Sequence, residues 1–254
     1  MIQGAASTYT REMNETVHSA PRRRTASPMP ANLSKATKPV KAGKKALAPG
    51  RTNDPARTMA GILDVATKEF AEKGLSGGRI DEIAAATKTS KRMIYYYFGS
   101  KEGLYVAVLE EAYRRMRAIE AELHLEDLPP EDALRKLVGF TFDHHHDNPD
   151  FIRLVMTENM ERGAFMARSK VIQKLNVTAI SAVQKLYERG VALGVFRANL
   201  DAIDLHASIS ALTFFNVSNR HTFSLIFKRD FDALRVLRER RDSVIELIVR
   251  FVRK

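Results

Sequence analysis

The sequence predicts an all-α fold, and three observations carry that prediction. From Asp54 onward, apolar residues recur at three- and four-residue spacing in long tracts. Asp, Ser and Pro stand where those tracts begin, and Gly or Pro where several of them end. No stretch of useful length alternates apolar and polar residues as a half-buried strand does.

Each helix follows from its own residues. Asp54 before Pro55 is an N-cap with proline at the first helical position. Ile62, Leu63, Ala66, Phe70 and Ala71 then form an apolar stripe, with Gly74 as the stop. A short helix over Ile80–Thr87 puts Ile80, Ile83 and Ala84 on one face. Ser90 caps a second short helix, Lys91–Phe98. Ser100 caps a long one carrying Leu104, Val108, Leu109 and Tyr113. Pro129 and Pro130 close this first group. Five amphipathic segments follow, from Glu131 to His146, from Pro149 to Met160, from Ala164 to Gly190, from Asp201 to Asn219 and from Asp230 to Val252. Gly190 and Gly194 break the chain before Val195, Phe196 and Arg197, and Asn219–Phe227 reads as loop or irregular helix.

Composition narrows the function classes. Lys and Arg total 41 against 30 Asp and Glu, a formal charge of +11 that points to an anionic partner, nucleic acid or an acidic membrane surface, without choosing between them. The absence of cysteine excludes disulfides, thiolate metal sites and a cysteine nucleophile. With no glycine-rich phosphate loop, nucleophile elbow or spaced set of metal ligands, the expectation is a non-enzyme without cofactor or metal. No apolar run is long enough to span a bilayer and no secretory core is present, so the expected compartment is the cytoplasm, away from any membrane. Residues 1–53 lack apolar periodicity and carry the basic cluster Arg22, Arg23 and Arg24. They read as a disordered basic tail, either solubilising or a nonspecific arm on DNA.

Two short helices joined by a tight turn between longer ones form a helix-turn-helix. The second short helix lies in the major groove in such a unit, so it needs one basic, polar side and one apolar side. Lys91, Arg92, Tyr95 and Tyr96 supply the first, and Ile94, Tyr97 and Phe98 the second. The tract Ser90-Lys91-Arg92-Met93-Ile94-Tyr95-Tyr96-Tyr97-Phe98-Gly99-Ser100-Lys101-Glu102-Gly103-Leu104, preceded by Ile83-Ala84, resembles the signature of the TetR family of bacterial repressors. The resemblance implies DNA-binding roles for Arg79, Ser90, Lys91, Arg92, Tyr95, Tyr96 and Lys101. Two positions depart from the family's pattern. Gly78-Arg79 stands where the second helix usually opens on Thr or Ser, and Lys88 replaces the turn glycine. A non-glycine residue at positive φ there costs about 1 kcal/mol.

The resemblance divides the chain into the tail, a DNA-binding domain over 54–100, and a helical effector-binding and dimerisation domain over 101–254. It implies a homodimer on a pseudo-palindromic operator of double-stranded DNA, released by a small-molecule effector. Activation, or nonspecific binding driven by the tail, is the alternative. Candidate effector contacts are Phe151, Asn159, Phe215, Asn216, Asn219 and Arg220, polar anchors among aromatic residues. The interface candidates are Leu205, Ile209 and Leu212 with small Ala202, Ala207 and Ser208, and the stripe Leu234, Leu237, Val244, Ile245, Ile248 and Val252. Residues that complete a subunit core show the same stripe. Consecutive His144, His145 and His146 point about 100° apart on a helix and cannot readily chelate one ion. They read as a polar helix end, favoured as His⁺ by the helix dipole.

Overall fold

The computed structural model describes residues 54–254, so the predicted tail lies outside the described residues. Ten α-helices occur in it: α1 (Pro55–Gly77), α2 (Ile80–Thr87), α3 (Lys91–Phe98), α4 (Lys101–Ala121), α5 (Pro130–Asp147), α6 (Pro149–Met160), α7 (Lys170–Ala192), α8 (Ala202–Ser218), α9 (Arg220–Phe227) and α10 (Leu234–Val252). Single 3-10 turns stand at Leu125–Asp127 and Met166–Arg168. Among the described residues the nearest approach to a sheet is one isolated bridge between Phe196 and Arg253.

The caps act as their residue types dictate. Asp54 Oδ1 accepts from the amides of Ala56 and Arg57 at 3.0 and 3.3 Å. Ser90 Oγ accepts from Met93 at 3.3 Å, and Ser100 Oγ from Gly103 at 3.0 Å. Each satisfies an amide that a helix start leaves without an intrahelical partner.

Four boundaries differ from the sequence reading. Gly74 (φ 65°, ψ 179°) breaks the helical path, but helical residues resume after it to Gly77. The segment 164–169 is not α-helical, because the Glu158 carboxylate takes the amides of Phe165 and Met166 and Ser169 caps a later start at Lys170. The stretch left between loop and irregular helix is the regular helix α9, ended by Lys228 in the left-handed region. The last helix begins at Leu234 rather than Asp230.

Two large cores hold the body together, with a smaller cluster of Met116, Phe151, Ile152 and Val217 joining α4, α6 and α8. The first joins α1–α4 around Ile62, Phe70, Ile83, Ile94 and Leu104, and reaches Leu154 of α6 and Ile172 of α7. The second joins α5, α7, α8 and α10 around Leu134, Val138, Leu186, Leu205, Ile209, Val244, Ile248 and Val252. The apolar stripes of α8 and α10 therefore complete the subunit's own core. Leu205, Ile209, Val244, Ile245, Ile248 and Val252, expected at a dimer interface, are buried within one chain. At the edge of this core Gly190 meets the ring of Phe196, where an added Cβ would sit 1.9 Å from Cδ2.

Candidate nucleic-acid interface and ligand cavities

The helix-turn-helix is built from α2 and α3. Ile94 is wholly buried against the N-terminal core, which fixes the rotation of α3 about its axis. Lys91, Arg92, Tyr95 and Tyr96 consequently stand in solvent, with Tyr96 77% exposed. Lys88 holds the α2–α3 turn at φ 53°, ψ 34°, the left-handed conformation where a glycine would be unstrained. Lys91 forms an ion pair with Asp81 of α2. Arg79 precedes α2 without capping it through its side chain; its amide donates to Glu69 Oε1 at 3.0 Å and its guanidinium lies 3.8 Å from Glu82. Lys101 donates to the Ser76 carbonyl at 3.2 Å, tying the start of α4 to the end of α1. At the α3–α4 junction Gly103 has no room for a side chain, since a Cβ would lie 2.1 Å from the Phe98 carbonyl oxygen.

The other predicted site residues divide into three places. Phe215, Asn216, Asn219 and Arg220 come together on a cavity of about 420 Å³ bounded by α8, α9 and α10. Phe151 is buried elsewhere, with its ring 5.2 Å from Tyr113, 5.8 Å from His144 and 6.1 Å from His145. Asn159 stands in solvent, and its amide group returns to the Val155 carbonyl at 2.9 Å.

A larger cavity, about 1000 Å³, opens between α4, the 3-10 turn at Leu125–Asp127, α5 and α7. Arg117 and Glu120 of α4 reach it as an ion pair that is only about a tenth exposed. Arg117 also donates to Asn176 Oδ1 of α7 at 3.2 Å, while its buried Nε has no partner among the described residues. The Arg117 charge is felt by His144, His145 and His206. Burial lowers the pKa of all three, and the Arg117 charge adds to the effect; His145 is pushed down to about 3. The reading of this tract as a charged, dipole-stabilised helix end is thus corrected. His144 and His145 do end α5, but they point inward and are neutral at pH 7.

Two family profiles match the chain. "Bacterial regulatory proteins, tetR family" covers residues 62–108, and "Tetracyclin repressor-like, C-terminal domain" covers 130–248. The chain belongs to the TetR family. Its TetR-type helix-turn-helix is a DNA-binding unit, and the family is one of transcriptional regulators rather than enzymes. Among curated relatives, the HTH-type transcriptional repressor NicS of Pseudomonas putida is 39% identical over 174 residues, 68% of this chain and 82% of the relative. The HTH-type transcriptional repressor SCO4008 of Streptomyces coelicolor is 35% identical over 139 residues, 54% of this chain and 69% of the relative. Among solved structures, the putative transcriptional regulator SCO4942 of Streptomyces coelicolor aligns with a TM-score of 0.58 at 26% identity, over 77% of this chain and 98% of that one. A tetR-family regulatory protein from Rhodococcus RHA1 shares the fold, with a TM-score of 0.61 at 23% identity over 77% and 97% of the two chains.

In this TetR-family chain the sequence reading did not single out Arg117, Glu120, Asn176 or His206. One signal was available for Arg117. It lies four residues after Tyr113 on the stripe that α4 turns inward, so its charge interrupts a buried face.

Proposed function

We propose that this chain is a homodimeric repressor that reads a pseudo-palindromic operator and leaves it when a small-molecule effector enters the cavity between α4, α5 and α7. The observation carrying this reading is the continuity of α4. It begins three residues after the recognition helix ends, and its far end places Arg117 and Glu120 in the cavity. Those ends lie about 24 Å apart along a helix rising 1.5 Å per residue. A ligand that prefers one tilt of α4 therefore favours one placement of α3, with a coupling of about 1–3 kcal/mol. Relatives named as repressors support the direction of regulation.

On the DNA, Arg92 and Lys91 suit base edges and phosphates, Ser90, Tyr95 and Tyr96 suit phosphate oxygens, and Arg79 and Lys101 flank them. A two-fold dimer would set two copies of α3 about 34–36 Å apart, or a multiple of that. The face available for dimerisation is the solvent side of α8 and α10. Ile203, Ala207, Ala211 and Phe215 form an exposed four-residue ladder on α8, and Leu247 and Phe251 are exposed on α10. The small alanines allow close helix approach. The mechanism uses no metal or cofactor, and its place is the cytoplasm, where the DNA is; no described helix is long and apolar enough to cross a membrane.

The test is selection of bound sequences from random duplex DNA at moderate salt, with the full chain and with a chain lacking residues 1–50. A pseudo-palindrome recovered by both supports the reading. Binding that yields no motif and vanishes with the tail overturns it in favour of nonspecific binding. A transcription assay on the recovered site separates repression from activation.

A further inference from the structure

We propose that the cavity at the α8–α9–α10 corner is a second ligand site, distinct from the α4–α7 cavity, and that it takes a small aromatic monocarboxylate. At about 420 Å³ it lies within the size range of small-molecule sites. Its apolar wall is a cluster of phenyl rings. Phe223 packs edge-on against Phe215 with centroids 4.8 Å apart and lies 6.0 Å from Phe231. Such rings favour a flat aromatic body in offset or edge-on contact.

Its polar wall is cationic. Arg220, Arg229 and Arg240 line the cavity, against Glu239 alone among the acidic lining residues. Arg220 spends one donor on Asp232 at 3.2 Å, and its buried Nε has no partner among the described residues. Arg240 Nε donates to Asn216 Oδ1 at 3.0 Å, which holds that guanidinium at the cavity. Arg229 is only loosely paired, 3.6 Å from Glu239. A guanidinium has five donors in a planar fork, so these single contacts leave capacity for a bidentate carboxylate. Asp232 pairs with Arg220, and Glu239 is shared between Arg229 and Arg235, whereas Arg240 has no carboxylate partner among the described residues. One carboxylate supplies that missing partner while its aromatic body meets the phenyl rings, beside which the extra charge of a phosphate dianion would be poorly solvated.

The experiment is calorimetric titration of the full chain with benzoate and with benzamide, its uncharged near-isostere. Saturable benzoate binding at about 1 mM or tighter is expected. Benzamide should bind at least about tenfold more weakly, and Arg220→Gln and Arg240→Gln should each cost benzoate a similar factor. Photolabelling of the unaltered chain with 4-azidobenzoate, competed by benzoate, locates the site without any variant. Label confined to peptides within 215–243 is the expected result. No saturable binding, equal binding of benzamide, or label confined to peptides of α4 and α7 overturns the proposal. Operator binding measured without benzoate reads the regulator separately, so failure of either reading is recognisable on its own.

Discussion

Arg153 of α6 donates through Nε to the carbonyl oxygen of Ala71 on α1, at 2.7 Å, and through a terminal nitrogen to Glu72 O at 3.4 Å. These carbonyls stand just before the break at Gly74, where the regular helical ladder is interrupted and outside donors are needed. The bond lies beside a line of packed groups that runs from Phe70 of α1 to Tyr105 of α4 and on to Phe165, with ring centroids 5.3 and 5.4 Å apart. Glu158 of α6, buried at 1% exposure, fastens the far end by accepting from the amides of Phe165 and Met166.

Arg153→Met should loosen this joint. Arg153 is exposed as a residue and its bond to Ala71 is only part-buried, so the stability lost is modest, about 1 kcal/mol. Amide hydrogen exchange in the peptide spanning 68–78 should accelerate relative to peptides of α10. Unchanged exchange there would mean that α1 is held by its apolar face alone.

Lys88→Gly should stabilise the chain by about 0.5–1 kcal/mol, because the left-handed conformation strains any residue bearing a Cβ. Thermal melting checks this. A lower melting temperature would mean that the entropy glycine adds to the unfolded chain outweighs the relieved strain.

Arg92→Ala should weaken operator binding by about 1–3 kcal/mol, whereas Lys174→Ala, at an exposed position of α7, should leave it within about twofold. If Arg92 serves a phosphate, the salt dependence of binding should fall by about one unit of slope; if it reads a base, specificity at one position should relax instead. Binding curves over a salt series distinguish the two. Equal effects of Arg92→Ala and Lys174→Ala would remove Arg92 from the interface.

Stability should fall on acidification below about pH 6.5. His145 has its folded pKa depressed to about 3, so between these values the unfolded chain binds a proton that the folded chain does not. Its contribution is intact above pH 6.5 and declines by up to about 1.4 kcal/mol per pH unit below it. His144 and His206 shift in the same direction. Chemical denaturation at pH 7 and pH 5 should show the loss, and His145→Asn should reduce it. A pH dependence that His145→Asn leaves untouched would place the titration elsewhere.

Gly190→Ala should cost more than about 2 kcal/mol, since its Cβ would enter the Phe196 ring within a packed core. Denaturant midpoints of Gly190→Ala and of Gly61→Ala, where nothing stands within 4 Å, make the comparison.

What the sequence determined by itself is local. The caps at Asp54, Ser90 and Ser100, the two short helices, and the outward set Lys91, Arg92, Tyr95 and Tyr96 all follow from residue type and helical period. Those signals act over one or two turns, and a single chain carries them in order. Tertiary structure decided the rest, because burial depends on residues far apart in sequence. Leu205 and Val244 show the same apolar spacing whether they face their own subunit or a second one, and only packing placed them in the subunit core. His145 reads as a polar helix end until Phe151 and Phe214, 6 and 69 positions away, close over it. Arg117 lies near the end of α4 beside exposed arginines, and its place in a cavity exists only because α7 brings Asn176 beside it.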